Sequence, residues 1–218
     1  MRSKTIYTIG HSTHEINIFV ELLIKNHINA ILDVRSIPYS KYADQFNKDD
    51  LRNKLKSNNI KYIYIGDQLG ARYTEKNLQF SNGKVNFSEV VKLNNFINGI
   101  ERIKDGLEKG YSIALMCSEK NPLECHRFSM ISNYLNKNNF EVLHILPERT
   151  ISHKDLEKML YNYFITKGKL TFDLDRIFKI EDVQCNLFNN QTIDDMYLEL
   201  NKLVGYDSNT EKDINDDN

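Results

Sequence analysis

A run of reactive side chains follows an apolar segment near the middle of the chain. The stretch ALMCSEKNPLECHRFS, residues 114–129, holds five such groups: Cys117, Glu119, Cys125, His126 and Arg127. Thiols, imidazoles and carboxylates are the usual nucleophiles, acids and bases of enzymes. Two thiols and an imidazole are equally a ligand set for zinc or iron. The run therefore predicts covalent chemistry or a metal centre.

Three interpretations of the two cysteines stay open. In the first, Cys117 is a nucleophile whose pKa is lowered by a helix N-terminus and by a nearby His126 or Arg127, with Glu119 as a further catalytic group. In the second, Cys117, Cys125 and His126 hold zinc or iron, although seven residues separate the cysteines, unlike the C-x-x-C of structural zinc sites. In the third, Cys125 is a small buried hydrophobe.

Polar residues also mark the ends of two earlier apolar segments, KTIYTI and NAILDV. An arginine at a strand end needs an anion or open water, so Arg35 indicates either an anion-binding loop or a solvated surface loop. The predicted substrate-binding residues are Ser12, Asp33, Arg35, Ser36 and Arg127. His11 is expected to serve as an auxiliary acid or base, or as a fourth metal ligand.

Short β-rich runs alternate with helical patterns along most of the chain. The predicted strands are residues 4–9, 29–34, 61–65, 111–116 and 140–146. This alternation predicts an α/β fold, an open and mostly parallel five-stranded sheet with helices on both faces. In such a sheet, ligands bind beyond the carboxyl ends of the strands. The candidate residues all follow those ends, which predicts a single crevice.

Local signals set the predicted helix boundaries. Ser12 and Glu15 form an S-x-x-E capping box, so Ser12 is expected to cap the first helix as well as, or instead of, binding a ligand. One continuous helix is predicted over 87–109. Another is predicted over 121–138, because its Asn-Pro start supplies an N-cap and a first helical residue.

The composition of the chain limits the classes of protein to which it can belong. Thirty acids face 29 bases, so any phosphate or nucleic-acid site must be a local patch. Three cysteines indicate reduced thiols in a cytoplasmic protein. A membrane partner is not expected, since no run approaches the roughly 20 apolar residues of a membrane span. The predicted segments are an α/β core, 1–166, a C-terminal extension, 167–206, and an acidic disordered tail, 207–218.

Four blocks together resemble the family called domain of unknown function 488, over roughly residues 4–160. They are TIGHS at 8–12, DVRSIPYS at 33–40, QLG at 68–70 and the C-S-E…P…C-H-R run at 117–127. The resemblance implies an α/β fold and a shared polar site built from these blocks. It does not imply a particular reaction.

A looser resemblance is to rhodanese domains, which are sulfurtransferases with a D-V-R near the second strand and a cysteine after the fourth. ILDVRS and ALMCS fit that layout, and the resemblance implies sulfur transfer through Cys117. However, SEKNPLE contains two acids and no glycine, which is unfavourable for cradling an anionic persulfide. Sulfur transfer is therefore a secondary hypothesis.

The segment QCNLF, residues 184–188, resembles a bacterial sliding-clamp-binding peptide. The resemblance implies that Leu187 and Phe188 enter an apolar pocket on the clamp while Gln184 fixes the register. The alternative is that Leu187 and Phe188 pack the C-terminal helix on the core. A clamp partner would link the protein to DNA replication or repair and would suggest phosphate contacts for Arg35, Lys41 and Arg72.

The leading hypothesis is a cytoplasmic enzyme that acts on an anionic substrate, either a phosphorylated small molecule, a nucleotide or a nucleic acid. Cys117 and His126 would be its reactive pair. The alternative is a non-catalytic ligand- or metal-binding adaptor that uses the same pocket. The sequence leaves the oligomeric state open.

Overall fold

Six strands form one sheet in the part of the chain that the structure describes. The computed structural model describes residues 4–165 and 192–207. The strands are β1 (Thr5–Gly10), β2 (Ala30–Asp33), β3 (Lys61–Tyr64), β4 (Ile113–Cys117), β5 (Glu141–Ile145) and β6 (Thr150–Ser152). Their order is β3-β2-β4-β1-β5-β6, and only the β5–β6 pair is antiparallel. The predicted α/β fold is confirmed, with a short antiparallel edge strand, β6, in addition to the five predicted strands.

Helices cover both faces of this sheet. They are α1 (Ile16–Lys25), α2 (Lys48–Lys56), α3 (Gly66–Leu69), α4 (Phe87–Val90), α5 (Asn94–Glu108), α6 (Asn133–Lys137), α7 (His153–Ile165) and α8 (Ile193–Val204). Phe19 of α1 and Leu51 of α2 pack in one buried cluster, while Phe96 of α5 and Leu135 of α6 pack in another. Among the described helices, none combines the length and the apolar character needed to cross a membrane.

The neighbouring central strands β1 and β4 are followed by connections that run to opposite sides of the sheet. The connection after β1 leads to β2 on one side, and the connection after β4 leads to β5 on the other. Such a switch point opens a crevice at the carboxyl edge of a parallel sheet. The two loops also bond to each other, since His11 N donates to Cys117 O over 2.9 Å and Ser12 N donates to Ser118 O over 2.8 Å.

The predicted capping box at Ser12 is wrong. Helix α1 begins at Ile16, and its N-cap residue is Glu15, whose side chain makes no capping hydrogen bond. Ser12 instead adopts a left-handed conformation with a φ of 46°. The hydrogen bond from its amide to Ser118 holds it in a turn between β1 and α1, so it cannot occupy the extended conformation of an N-cap.

Two predicted helices are interrupted. The helix expected over 87–109 is divided into α4 and α5, because Leu93 is extended and its side chain packs against the core. The helix expected over 121–138 starts as a 3₁₀ turn capped by the Asn121 side chain. Cys125 is then extended, with φ −133° and ψ 143°, and a π-helical segment, Arg127–Ser132, leads into α6.

The C-terminal helix α8 packs on the core of its own chain. Asn201 accepts a hydrogen bond from Phe87 N over 2.8 Å and donates to Val85 O over 2.9 Å. Val85 N donates to the carbonyl of Tyr206 over 2.9 Å. These contacts bring the end of the predicted extension to the crevice. The clamp-like peptide, 184–188, and the predicted acidic tail beyond residue 207 lie outside the described residues, and the predicted domain boundaries stay a prediction.

A buried chain of hydrogen bonds connects β1 to α8. Thr8 Oγ1 lies 2.7 Å from His144 Nδ1, and His144 Nε2 lies 3.1 Å from His153 Nδ1. His153 Nε2 lies 2.8 Å from the Tyr197 hydroxyl, which donates to Glu157 over 2.9 Å. One tautomer of each neutral imidazole satisfies this entire chain, with donation running from Thr8 to Glu157. Burial lowers the pKa of His153 to about 3 and that of His144 well below its usual value, with His153 adding to the latter shift.

We expect the rings of His144 and His153 to stay neutral in the folded chain as the pH falls from 8 to about 5. Because the unfolded pKa is about 6.5, this network stabilises the fold fully above that pH and loses its contribution as the pH falls toward the lowered folded values. Ring-proton NMR titration measures this, with signals identified through His144→Gln and His153→Gln. Titration of both rings near 6.5 in the folded protein would contradict the prediction, and the urea-unfolded chain provides the reference.

Candidate functional site

A cavity of about 210 Å³ opens at the carboxyl edge of the sheet. The chain after β2, the chain after α3, the end of β4 with its following loop, the residues just before the π-helical segment, and the end of α8 with the chain after it form its wall. The lining residues are Arg35, Ser36, Ile37, Ala71, Arg72, Cys117, Ser118, Glu119, Glu124, Cys125, His126, Val204 and Tyr206. Of the three loops predicted to converge, those after β2 and β4 line the cavity, whereas His11 and Ser12 of the loop after β1 are not among its lining residues.

Two thiols and one imidazole form a compact cluster in this wall. The ligand atoms of Cys117, Cys125 and His126 all lie within 4.8 Å of one another. His126 Nδ1 lies 3.6 Å from the Cys117 sulfur and 3.8 Å from the Cys125 sulfur. All three residues are buried. The structure therefore brings together the three residues predicted as metal ligands.

The orientation of His126 points one ring nitrogen at both sulfurs. Its Nε2 lies 3.3 Å from the carbonyl oxygen of Val34, just after β2. A carbonyl can only accept, so Nε2 carries the proton and donates, which in a neutral ring leaves the Nδ1 lone pair facing the cysteines. A metal-binding histidine is typically fixed in this way, by donation from its other nitrogen to a backbone carbonyl or carboxylate.

Electrostatics distinguish the two thiols. Burial raises the pKa of Cys117 well above its usual value, and the neighbouring Cys125 and Glu119 raise it further. Burial also opposes ionisation of Cys125, but the neighbouring Cys117 thiol and the positive charges of Arg127 and His126 lower its pKa well below the usual value. The lowered pKa expected for Cys117 is therefore not found. The backbone N–H of Arg127 also donates to the Cys125 sulfur over 3.4 Å, a contact that favours negative charge there.

Glu119 and Arg127 complete the immediate surroundings. The Cys117 thiol donates to the Glu119 carboxylate over 3.0 Å, and burial, with the charge of Cys125, raises the pKa of that carboxyl. Burial disfavours a charged His126, yet the negative charge of Cys125, reinforced by Glu119, raises its pKa. Arg127 is buried and donates to the carbonyls of Glu119 and Lys120 over 2.6 and 3.0 Å. Its guanidinium thus holds the loop that carries Glu119.

Arg35 forms a buried ion pair with Asp33, two residues earlier in the chain. It donates to both carboxylate oxygens of Asp33, from Nε over 2.9 Å and from Nη2 over 2.6 Å, and also to the carbonyl of Phe46. Tyr62 donates to the same carboxylate over 2.7 Å. Burial alone would lower the pKa of Arg35, but Asp33 outweighs burial and raises it. The substrate-binding roles of Asp33 and Arg35 stay predictions, and much of their bonding capacity serves this ion pair.

His11 lies behind Arg35. Its Nε2 is 3.0 Å from Arg35 Nη1 and its Nδ1 is 2.8 Å from the carbonyl of Ser12, while its ring stacks on Phe46 at 4.4 Å. Burial, followed by the charge of Arg35, lowers the pKa of His11 to about 4. A neutral ring with Nδ1 donating and Nε2 accepting fits both contacts. The arrangement orients Arg35, and the predicted acid-base role of His11 stays a prediction.

The C-terminal segment also lines the cavity, which was not predicted from the sequence. Val204 and Tyr206 line the cavity beside Arg72, whose guanidinium lies 5.0 Å from the centre of the Tyr206 ring. Ser36, predicted to bind substrate, accepts hydrogen bonds from the amides of Ala71 and Arg72. No local pattern in the sequence connects residue 206 with the cysteine segment, because their proximity comes from the docking of α8.

The fold and the site define an α/β protein with a Cys/His pocket at the switch point of a mostly parallel sheet. The family model described as Domain of unknown function DUF488 matches residues 15–135. This is more than half of the chain, and the chain belongs to that family. Three of the four sequence blocks lie inside the match, while TIGHS at 8–12 precedes it. No curated protein and no solved structure gives a match, and the looser resemblance to rhodanese domains stays a prediction.

Replacing Asp33 with asparagine should destabilise the fold by about 3–5 kcal/mol, because a buried guanidinium loses its counter-charge. Asp49→Asn is the matched control, since Asp49 forms an exposed ion pair with Arg52 whose loss should cost less than about 1 kcal/mol. Urea unfolding of both variants measures the difference in the free energy of unfolding. Equal losses in the two variants would show that the Asp33–Arg35 pair does not anchor the site.

Proposed function

We propose that this protein is a metal-dependent enzyme in which Cys117, Cys125 and His126 hold one zinc or iron ion. The observation that carries the proposal is the convergence of their three ligand atoms within 4.8 Å. A small anionic substrate would bind in the adjoining cavity. As in the hypothesis from the sequence, the protein would be an enzyme that acts on an anionic substrate. Its predicted reactive pair, Cys117 and His126, would act as metal ligands.

The distances in the cluster support this assignment. A tetrahedral zinc ion with sulfur at about 2.3 Å and nitrogen at about 2.0 Å separates these two ligand atoms by roughly 3.5 Å. The two sulfur-to-Nδ1 distances are 3.6 and 3.8 Å. Three protein ligands beside a cavity leave one coordination position open, as in catalytic rather than structural zinc sites. The hydrogen bond from His126 Nε2 to the Val34 carbonyl orients the ring, as is usual for a histidine that binds metal through its other nitrogen.

Glu119 would transfer protons beside the bound metal ion. Its carboxylate lies 3.0 Å from the Cys117 sulfur, and both residues line the cavity. A bound zinc or iron ion would act as a Lewis acid and lower the pKa of water there. A carboxyl group whose pKa is raised by burial is suited to accept a proton and return it to the substrate. Arg127 holds the backbone of Glu119 in place through its bond to the carbonyl.

The proposed anionic substrate is supported by the arginines around the cavity. Arg35 and Arg72 line its wall, and Arg127 lies buried behind Glu119. The charge of Arg35 is balanced by its ion pair with Asp33, whereas Arg127 is anchored by uncharged carbonyls and would contribute positive potential. Arg72, which is exposed on the chain after α3 and lines the cavity wall, would make the direct contact.

The full-length protein should bind about one zinc or ferrous ion per chain. Cys125→Ser and Cys117→Ser should each weaken zinc binding at least about 100-fold, because a thiolate ligand is lost. Elemental analysis and competition with a chromophoric chelator measure stoichiometry and affinity. Ser118→Ala, which changes another residue of the cavity wall, is the matched control and should bind zinc normally.

Unchanged zinc affinity in both cysteine variants would refute the metal centre. In that case a thiol enzyme is the second candidate, favoured by the lowered pKa of Cys125. Its signature would be rapid alkylation of Cys125 by iodoacetamide near pH 6 in the presence of chelator, lost in Cys125→Ser.

Inorganic phosphate or a nucleoside monophosphate should raise the melting temperature of the zinc-loaded protein, because the folded state alone binds the anion. Arg72→Gln should reduce the shift by at least half, since the contact with phosphate is charge-assisted. Arg102→Gln, a substitution on α5, is the control and should keep the full shift. No shift with either ligand in the wild-type protein would argue against a phosphorylated substrate.

A further inference from the structure

The two cysteines of the cavity wall are close enough to react with each other. Their sulfurs lie within 4.8 Å of one another, and both approach the same nitrogen, His126 Nδ1. Both side chains are only 2–3% exposed, but both line the cavity, so a small oxidant can reach them. The seven intervening residues return the chain from the end of β4 to the start of the π-helical segment.

We infer that Cys117 and Cys125 are a reversible redox modification site, at which a peroxide converts the two thiols into a disulfide. The pair needs no metal in order to react. Its regulatory meaning rests on the proposed metal centre, because the disulfide would consume both sulfur ligands. The metal-bound and oxidised forms would therefore exclude each other.

The two sulfurs differ in their surroundings, and this difference determines which of them attacks the peroxide first. The Arg127 amide donates to the Cys125 sulfur over 3.4 Å, an interaction that favours a thiolate there. The Cys117 thiol faces the Glu119 carboxylate at 3.0 Å, which provides a nearby base. Cys125 is therefore the attacking thiolate, and Cys117 is the resolving thiol.

The reaction balances with hydrogen peroxide as the oxidant. The Cys125 thiolate attacks one peroxide oxygen, the O–O bond breaks, and Cys125 becomes a sulfenic acid as hydroxide leaves. Cys117 gives its proton to Glu119, and its thiolate attacks the sulfenic sulfur. The S–S bond forms as a second hydroxide leaves. One hydroxide takes the proton held by Glu119 and the other takes a proton from solvent, which gives two waters; the peroxide has gained two electrons, and each sulfur has lost one.

The test uses the full chain with Cys185→Ser, because Cys185 is the third cysteine of the sequence and lies outside the described residues. The chelator-treated protein is exposed to hydrogen peroxide, quenched, unfolded and alkylated with N-ethylmaleimide. We expect both thiols to be lost, the intact mass to fall by about 2 Da, and dithiothreitol to restore both thiols. Zinc-loaded protein should react at least about tenfold more slowly.

Adding Cys117→Ser to this background supplies the matched control. It removes the resolving thiol, so peroxide should give a dimedone-reactive sulfenic acid at Cys125 and no internal disulfide. Circular dichroism verifies that both variants are folded. Two thiols that persist, or that become sulfinic acids without forming a disulfide, would overturn the inference.

The same measurements separate this inference from the proposed function. A disulfide that forms equally fast with and without zinc, in a chain that binds no zinc, supports the redox pair and refutes the metal centre. A chain that binds zinc but yields no disulfide after chelation supports the metal centre and refutes the redox pair.

Discussion

The close contact between Gly10 and the loop after β4 determines where every reactive group of the pocket lies. A Cβ atom at Gly10 would fall 1.9 Å from the carbonyl oxygen of Glu119, so only glycine lets this loop cross the end of β1. The hydrogen bond from the His11 amide to the Cys117 carbonyl extends the ladder between the two strands past their last residues. Arg127, whose Nη2 would lie 3.0 Å from the same Cβ, donates to the Glu119 carbonyl through Nη1.

Three parts of the chain are thereby tied at one point, the end of β1, the end of β4 and the start of the π-helical segment. If the loop moved away, Glu119 would separate from the thiols and Arg127 would lose its buried partners. A buried guanidinium without acceptors is costly. This cost makes the loop conformation and the position of Arg127 mutually dependent, and the geometry of the thiol pair follows from both.

The location of the site was predictable from the sequence, but its internal bonding was not. Alternating apolar runs identified the parallel strands, and the carboxyl-edge rule then placed Cys117 and Arg35 at one rim. The Asp33–Arg35 pair was harder to foresee, because it depends on a local turn after β2 in which both the amide and the guanidinium of Arg35 donate to the Asp33 carboxylate. The extended conformation of Cys125 likewise breaks a pattern that reads as one helix, and the contribution of Tyr206 depends on the packing of α8.

Charge neutrality gives a physical reason for the two states proposed for the thiol pair. Two thiolates buried side by side would repel each other strongly in a medium of low dielectric constant. The metal-free reduced pair avoids this by retaining one proton on Cys117, with Arg127 and His126 balancing the charge of Cys125. A divalent ion neutralises two thiolates, and a disulfide removes both charges. The same burial that raises the pKa of Cys117 therefore favours both metal capture and oxidation over a doubly ionised pair.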